Sequence, residues 1–231
     1  MVNLVRKDLL ILKRYLWLAP LYGLFALNAF RTMPGGALSV GTVAVTYMLM
    51  LQAITQDDKN NSEIMLNSLP LRRKDIVLAK YLSVFLYAAL VILFFLLARG
   101  VVSVIGIGMI PILISPIYLA EIANALVAMV VLISIYFPIY FKFGFLRSRM
   151  VGSILFLVSI FLLPMVSIMH VYDRGTRNSI LRNIIAFLGR LGNWLQTQAD
   201  WQIASYLLAL ALILTAASAL LSLRLYTRRE F

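Results

Sequence analysis

The sequence predicts an all-α protein that crosses a membrane six times, with both termini on the cytoplasmic side. Of its 231 residues, 62% are hydrophobic and only 13% are charged, whereas a soluble domain carries about a quarter charged residues. Six apolar runs come close to the roughly 17 to 25 residues that a transmembrane helix needs. With the N-terminus placed inside, fifteen of the Lys and Arg residues fall in inner segments and six in outer ones. This asymmetry follows the positive-inside rule and gives the predicted orientation.

The six predicted spans form one membrane domain over residues 1–231. We expect the first run to stay as an uncleaved helix, because Leu27–Arg31 offers no small-residue cleavage site. The spans are Tyr15–Phe30, Ala37–Ile54, Ile76–Ala98, Ile117–Phe141, Met150–Val171 and Ile203–Leu223.

Four further segments complete the predicted layout. Residues 1–14 mix charges with Leu, Val and Ile, which predicts a short interfacial helix on the inner leaflet, an unstructured basic tail being the alternative. Segments 56–75 and 142–149 are the predicted cytoplasmic loops. The external segment 172–202 contains Asn178–Ala199, where apolar residues recur at helical spacing and predict an amphipathic helix before the last span.

The residue content excludes several kinds of chemistry. There is no cysteine, so disulfides, thiolate nucleophiles and cysteine-ligated metals are excluded. His170 is the one histidine, and we expect it to be a hydrogen-bonded interfacial residue rather than a metal ligand or a catalytic base. None of the twelve glycines forms a Walker-A loop, so ATP would have to be bound by another subunit. We expect no catalytic residue, metal or cofactor in this chain.

The net charge of +12 does not indicate nucleic-acid binding in so apolar a chain. Basic residues beside transmembrane helices more often face anionic lipid on the cytoplasmic side. We therefore expect the lipid bilayer, and no nucleic acid, among the partners.

The segment between the second and third spans carries the most informative pattern. Its first part, Gln56–Glu63, is acidic and rich in amides, and Asn61 or Ser62 can cap a short helix through Leu69. Pro70 then ends that helix. A short amphipathic helix between two spans is suited to bind a soluble partner, and a solvated connector is the alternative.

The string LNSLPLRRKDIVLAKYL, from Leu66 to Leu82, resembles the corresponding loop of short type 2 ABC-exporter permeases. In that family a Ser-Leu-Pro stretch is followed by basic residues and by a Lys-Tyr pair where the next span begins. The six-span layout, the N-terminal interfacial helix and the long external segment extend the resemblance over the whole chain. Within the family it looks most like the permeases of phenol-soluble-modulin-type peptide exporters.

The resemblance implies a homodimer of permeases in a bacterial plasma membrane, with two separate subunits that bind ATP and Mg²⁺. It implies a coupling helix in the cytoplasmic loop and a second contact with the ATPase after the fourth span. It also suggests that the external amphipathic helix covers the translocation path, the alternative being a helix that lies in the outer headgroups. By position, the coupling residues are Glu63, Leu66, Leu69, Pro70, Arg72 and Arg73, and the second contact is formed by Lys142, Arg147 and Arg149.

Glu121 lies inside the fourth predicted span, roughly 7 Å from its outer end at the rise of an α-helix. A charge at mid-membrane costs about 2.5–3.5 kcal/mol and less near the interface, so we expect a partner. The candidates are Arg99 and Arg31, at the outer ends of the third and first spans. Such a pair would hold an outer gate, contact substrate or only fix helix packing. Glycines and prolines between Arg99 and Tyr118 predict a tight external turn.

Two functions of different classes remain. The first is an exporter permease that moves an amphipathic peptide or lipid, the resemblance favouring a peptide. The predicted spans contain almost no charge except Glu121, and an apolar path would not replace the hydrogen bonds that a sugar or ion makes with water. The second is a membrane scaffold or sensory protein that binds a soluble partner through the same loop.

Overall fold

The computed structural model describes residues 2–12, 36–60, 62, 65, 72–105, 118–169 and 198–228. Within these ranges the chain is helical and contains no strand. Four of the described helices are long and apolar enough to cross a membrane, over Leu38–Lys59, Arg73–Val101, Leu119–Phe143 and Asp200–Thr227. The six helices are α1 (Val2–Leu12), α2 (Gly36–Lys59), α3 (Arg73–Ile105), α4 (Leu119–Phe143), α5 (Phe145–Met169) and α6 (Asp200–Thr227).

The predicted all-α membrane class is confirmed, whereas the six spans and their orientation stay predictions. The fifth predicted span is matched by the helix α5, whose side chains are described as far as Ser159. A helix is present where the N-terminal one was predicted. The first predicted span, most of the coupling helix and the external amphipathic helix lie outside the described residues, as do Arg31 and His170.

The innermost helix of the described bundle is α2. Of its apolar span, 78% is buried, against 17% for α6, which lies at the periphery. Helix α2 packs against α1, α3, α4 and α5, while α6 runs along α4 and touches α3. Aromatic rings fill the centre: Tyr47 stacks on Phe156 with ring centroids 4.6 Å apart, and Tyr136 meets Tyr47 edge-on at 6.3 Å.

Helix α5 approaches these rings closely because Gly152 has no side chain. A Cβ on Gly152 would lie 2.5 Å from Cε2 of Tyr136 and 2.8 Å from the hydroxyl oxygen of Tyr47. Both distances are shorter than a carbon atom tolerates without rearrangement of its neighbours. The glycine therefore sets how near α5 can lie to α2 and α4.

Helix α6 turns small residues toward its neighbours. Ala204, Ala211 and Ser218 are buried at seven-residue spacing, which allows close approach of helix backbones in a membrane. The Ser218 Oγ donates to the carbonyl oxygen of Ser134 on α4, at 2.9 Å. The hydroxyl of Tyr81 on α3 lies 2.6 Å from the same Ser218 Oγ and 2.9 Å from that of Ser222. Hydrogen bonds thus join three helices along this seam.

The prediction of a second cytoplasmic loop over residues 142–149 was wrong in its length. All of these residues except Gly144 lie in α4 or α5. Gly144 has φ 78°, a left-handed value that glycine adopts without steric penalty, and its N–H donates to the Tyr140 carbonyl at 2.9 Å. The chain therefore passes from α4 to α5 through a single residue. Basic residues did not mark a loop here, because long basic side chains extend to water from a helical backbone.

The outer end of the third predicted span also needs correction. Helix α3 does not end at Ala98 but continues through Arg99 and Gly100 to Ile105. Arg99 is buried against its neighbours, so its charge does not stop the helix, and a single glycine inside a helix costs only about 1 kcal/mol. The predicted turn would begin beyond Ile105, outside the described residues.

Candidate functional site

The two ends of the bundle differ in charge. We call the end at which α2, α4 and α6 finish and α3 and α5 begin the basic end. The described basic residues there are Arg6, Lys7, Lys59, Arg72, Arg73, Lys74, Lys80, Lys142, Arg147, Arg149, Arg224 and Arg228. At the opposite end Arg99 is the one basic residue among those described, and it is accompanied by Glu121 and Asp200. Of the candidate partner-binding residues, the described ones, Arg72 and Arg73 of the first set and all three of the second, lie at the basic end.

A group of buried charges, which we call the ion cluster, joins α1, α2 and α3 at the basic end. Its members are Lys7 and Asp8 of α1, Asp57 of α2, and Lys80 of α3. The Lys80 ammonium lies 2.5 Å from Oδ2 of Asp57 and 3.2 Å from Oδ2 of Asp8. Lys7 binds the other oxygen of Asp57, Oδ1, at 2.6 Å, and the Ser83 Oγ donates to Asp8 at 3.0 Å.

Local sequence explains how the ion cluster assembles. Lys80, Ser83 and Tyr87 are three and four residues apart, so they share one face of α3. On α1 the buried Asp8 and the exposed Arg6 point to different sides, which turns the carboxylate toward the bundle. Asp57 lies in the last turn of α2. A small cavity beside these groups is otherwise lined by apolar side chains of α2, α3 and α4.

Burial makes the balance of charge in the ion cluster important. The side chains of Asp8, Asp57 and Lys80 are only 4%, 8% and 11% exposed, and Lys7 at 28% forms the rim. Two positive and two negative charges neutralise one another, so none is left alone in apolar surroundings. Loss of one partner from a buried pair typically costs about 3–5 kcal/mol, because the remaining charge is uncompensated.

The ion cluster was not predicted from the sequence. The expectation that the predicted spans contain almost no charge except Glu121 was wrong, because Lys80 lies inside the span Ile76–Ala98. A lysine four residues into an apolar run was the available signal. It was counted with the cytoplasmic charges, and nothing in the sequence shows that Asp8, seventy-two residues away, faces it.

The predicted coupling residues are only partly described. Glu63, Leu66, Leu69 and Pro70 lie outside the described residues, and the exposed Arg72 precedes α3. Arg73, the first residue of α3, is bound within the chain. Its Nη1 donates to the carbonyl oxygens of Tyr226 at 3.2 Å and Thr227 at 3.0 Å, and its guanidinium carbon lies 5.9 Å from the Tyr226 ring centre. A cation thus caps the C-terminus of α6.

On either side of Gly144 the basic residues Lys142, Arg147 and Arg149 are all exposed. Three apolar residues accompany them: Leu146 and Met150 are 76% and 73% exposed, and Phe143 is 45% exposed. We call these six residues the turn surface. Such a mixture of apolar and basic side chains suits a protein partner with apolar and acidic groups.

The opposite end holds the predicted gate residues. Glu121 lies half-buried in the first turn of α4, where it is attracted by the charge of Arg99 and repelled by that of Asp200. Arg31 lies outside the described residues, so the choice between the two arginines stays a prediction. The carboxylate of Asp200 accepts hydrogen bonds from the backbone N–H of Leu119 at 2.8 Å and of Ala120 at 3.1 Å. The first residue of α6 therefore caps the N-terminus of α4, a contact the sequence analysis missed.

A family model described as "ABC-2 family transporter protein" matches residues 3–227. No curated protein and no solved structure matches the chain significantly. The matched region includes the ion cluster, the turn surface and the charged residues of the opposite end.

Proposed function

We propose that this chain, which belongs to the ABC-2 family of transporter proteins, is the permease subunit of an ATP-driven exporter. The observation that carries the proposal is the family match over residues 3–227, together with four helices fit to cross a membrane. Permeases of this family work with an ATP-binding subunit, and the sequence contains no Walker-A motif. ATP and Mg²⁺ would then be held by a separate partner, and this chain would convert the partner's movement into transport.

Two places at the basic end would receive the ATPase: the segment Glu63–Arg73 and the turn surface. The positive-inside rule puts the basic end in the cytoplasm, where a soluble ATPase is available. Exposed Leu146 and Met150 give an apolar centre, and the surrounding bases give charge that steers an acidic partner. These features support docking of a protein rather than a small molecule.

An amphipathic substrate, with a peptide preferred to a lipid, fits the distribution of polarity best. The described charges lie toward the two ends of the bundle, and α6 exposes a long apolar face that includes Leu212, Ile213 and Leu220. A path between two copies of the chain, lined by such a face, would accept an acyl chain or one side of an amphipathic helix. It would offer a sugar few hydrogen-bond partners. Export across a bacterial plasma membrane is part of the same proposal.

Co-purification tests the docking. The chain is expressed with a Walker-A ATPase encoded beside it, and the ATPase retained by the permease is measured together with ATP hydrolysis. We expect Leu66→Asp with Leu69→Asp, and separately Arg147→Glu with Arg149→Glu, to abolish or strongly reduce retention while the permease still inserts. The matched control is Arg224→Glu with Arg228→Glu, which changes the same charge at exposed positions of the same end. Full retention by both test variants would contradict the proposed docking.

Stimulated ATP hydrolysis tests the substrate and separates the proposal from a membrane scaffold or sensory protein. The reconstituted complex is given amphipathic peptides, lipids and sugars in turn. We expect peptides to stimulate hydrolysis most and sugars not at all. Stimulation by sugars alone would refute the amphipathic substrate. A retained partner without any ATP hydrolysis would favour the scaffold.

A further inference from the structure

The ion cluster joins the two helix ends that flank the loop that we propose to bind the ATPase. We call these helix ends, with Asp57 on α2 and Lys80 on α3, the loop roots. Residues 60–72 connect α2 to α3, and Asp57 lies three residues before this connection. Lys80 lies two turns after it. The bond of 2.5 Å between the Lys80 Nζ and the Asp57 Oδ2 closes the connection at its base. A force applied to the loop would therefore move the adjoining ends of α2 and α3 together, because this ion pair fixes the distance between them.

Helix α1 is bound to both roots. Each carboxylate oxygen of Asp57 is taken by a lysine from a different helix, Oδ1 by Lys7 of α1 and Oδ2 by Lys80 of α3. Asp8 of α1 in turn accepts from Lys80 and from Ser83. If α1 moved away, it would take one positive and one negative charge out of a buried group in which each lysine lies within 3.6 Å of both carboxylates. If α1, α2 and α3 move together, every pair is kept.

We propose, on the basis of the permease function above, that the ion cluster is the joint that makes α1 and the two loop roots move as one body when the ATPase acts. Lys80 and Asp57 are positioning residues in this scheme, since they act through the loop. The joint transmits the movement of a cytoplasmic loop to the N-terminal helix as well as to the two spans.

Distance measurements between spin labels test the joint. The chain contains no cysteine, so single cysteines can be introduced without removing others. Arg6 on α1, Asp58 on α2 and Ser153 on α5 are exposed and lie outside the ion cluster. Labels at 6 and 58 report movement within the proposed body. Labels at 6 and 153 report movement of α1 relative to α5. Both pairs are measured in the complex with the ATPase, without nucleotide and after trapping with ATP and vanadate.

In the parent complex we expect the 6–58 distance distribution to be narrow and unchanged by trapping, while the 6–153 distribution shifts. In Lys80→Gln the 6–58 distribution should broaden and the 6–153 shift should be lost, although the ATPase stays bound. Lys80→Arg should restore both results. Lys74→Gln is the matched control, because it removes an exposed lysine from the same helix and should behave as the parent does.

A second variant covers the case in which Lys80→Gln does not fold. Asp57→Leu with Lys80→Met removes one charge of each sign and leaves Lys7 and Asp8, 3.6 Å apart, to balance each other. It removes the pairs between α1 and the loop roots without leaving a lone charge, so it should show the same loss of the 6–153 shift. The inference is overturned if trapping changes the 6–58 distance in the parent, or if both variants keep the parent's distributions. Failure of the ATPase to bind the parent would instead count against the proposed function.

Discussion

Removal of the Lys80 charge should lower the stability of the protein substantially. Lys80→Met keeps an unbranched apolar side chain of similar length and removes the ammonium, which lies 2.5 Å from Asp57 and 3.2 Å from Asp8. Lys7 would then be the remaining positive charge of the ion cluster for both carboxylates, at 2.6 Å from Asp57 and 3.6 Å from Asp8. Because one partner remains, we expect the lower end of the usual range, about 3 kcal/mol.

A loss of that size is measurable as a thermal shift. For a chain of this length each kcal/mol lowers the melting temperature by about 2–4 °C, so Lys80→Met should melt about 6–12 °C below the parent in detergent. The double variant Asp57→Leu with Lys80→Met leaves no unbalanced charge and should lie within about 1 kcal/mol of the parent. The double-mutant cycle therefore predicts strong coupling between the two residues, on the order of the single-variant loss.

Two results would refute the reasoning. If Lys80→Met melted with the parent, the ammonium would contribute nothing that the remaining groups cannot replace. If the effects of Asp57→Leu and Lys80→Met simply added, the two residues would be independent and no buried pair would be lost. Lys74→Met, an exposed change on the same helix, should shift the melting temperature by little and serves as the control.

Two further predictions concern helix packing. Gly152→Ala should destabilise the protein by about 1–3 kcal/mol, because the new Cβ would lie 2.5 Å from a ring carbon of Tyr136. The control is Gly100→Ala, where nothing lies within 4 Å of the new Cβ. It should be neutral or stabilise the protein by up to about 1 kcal/mol. Equal melting temperatures for these two variants would contradict the close approach of α5. Tyr81→Phe should cost about 0.6–2 kcal/mol, because it removes the hydroxyl that is hydrogen-bonded to Ser218 and Ser222 of α6. An unchanged melting temperature would show that these hydrogen bonds contribute nothing net.

Hydropathy predicted the described spans well, because burial in lipid acts on each apolar segment separately. The predicted span Ile117–Phe141 differs from the observed α4 by only two residues at each end. Segment Ile76–Ala98 was correctly placed, but α3 extends beyond it at both ends, from Arg73 to Ile105. Arg73 and Arg99, which flank the predicted span, both have contacts within the chain.

The candidate site was harder to predict than the spans. Which face a helix turns to its neighbours depends on packing, so the pairing of Lys80 with Asp8 and Asp57 is invisible in one sequence. Arg73 illustrates the same limit: it was assigned to a partner contact from its position, yet its guanidinium binds the last carbonyl groups of α6. The bases beside Gly144 are exposed, and their assignment to a contact with the ATPase stays a prediction.

The position of α6 has a consequence for biosynthesis. Helix α4 is covered along one side by α6, which is synthesised more than fifty residues later. The first backbone N–H groups of α4 therefore have no contact with the Asp200 carboxylate until α6 has been made. The hydroxyl of Tyr81 likewise finds its partners only when Ser218 and Ser222 have been made. Since domains form during synthesis from the N-terminal side, the inserted bundle is incomplete until its last helix arrives. A chain that stops before Asp200 would leave one side of α4 uncovered and its first backbone N–H groups without the Asp200 carboxylate.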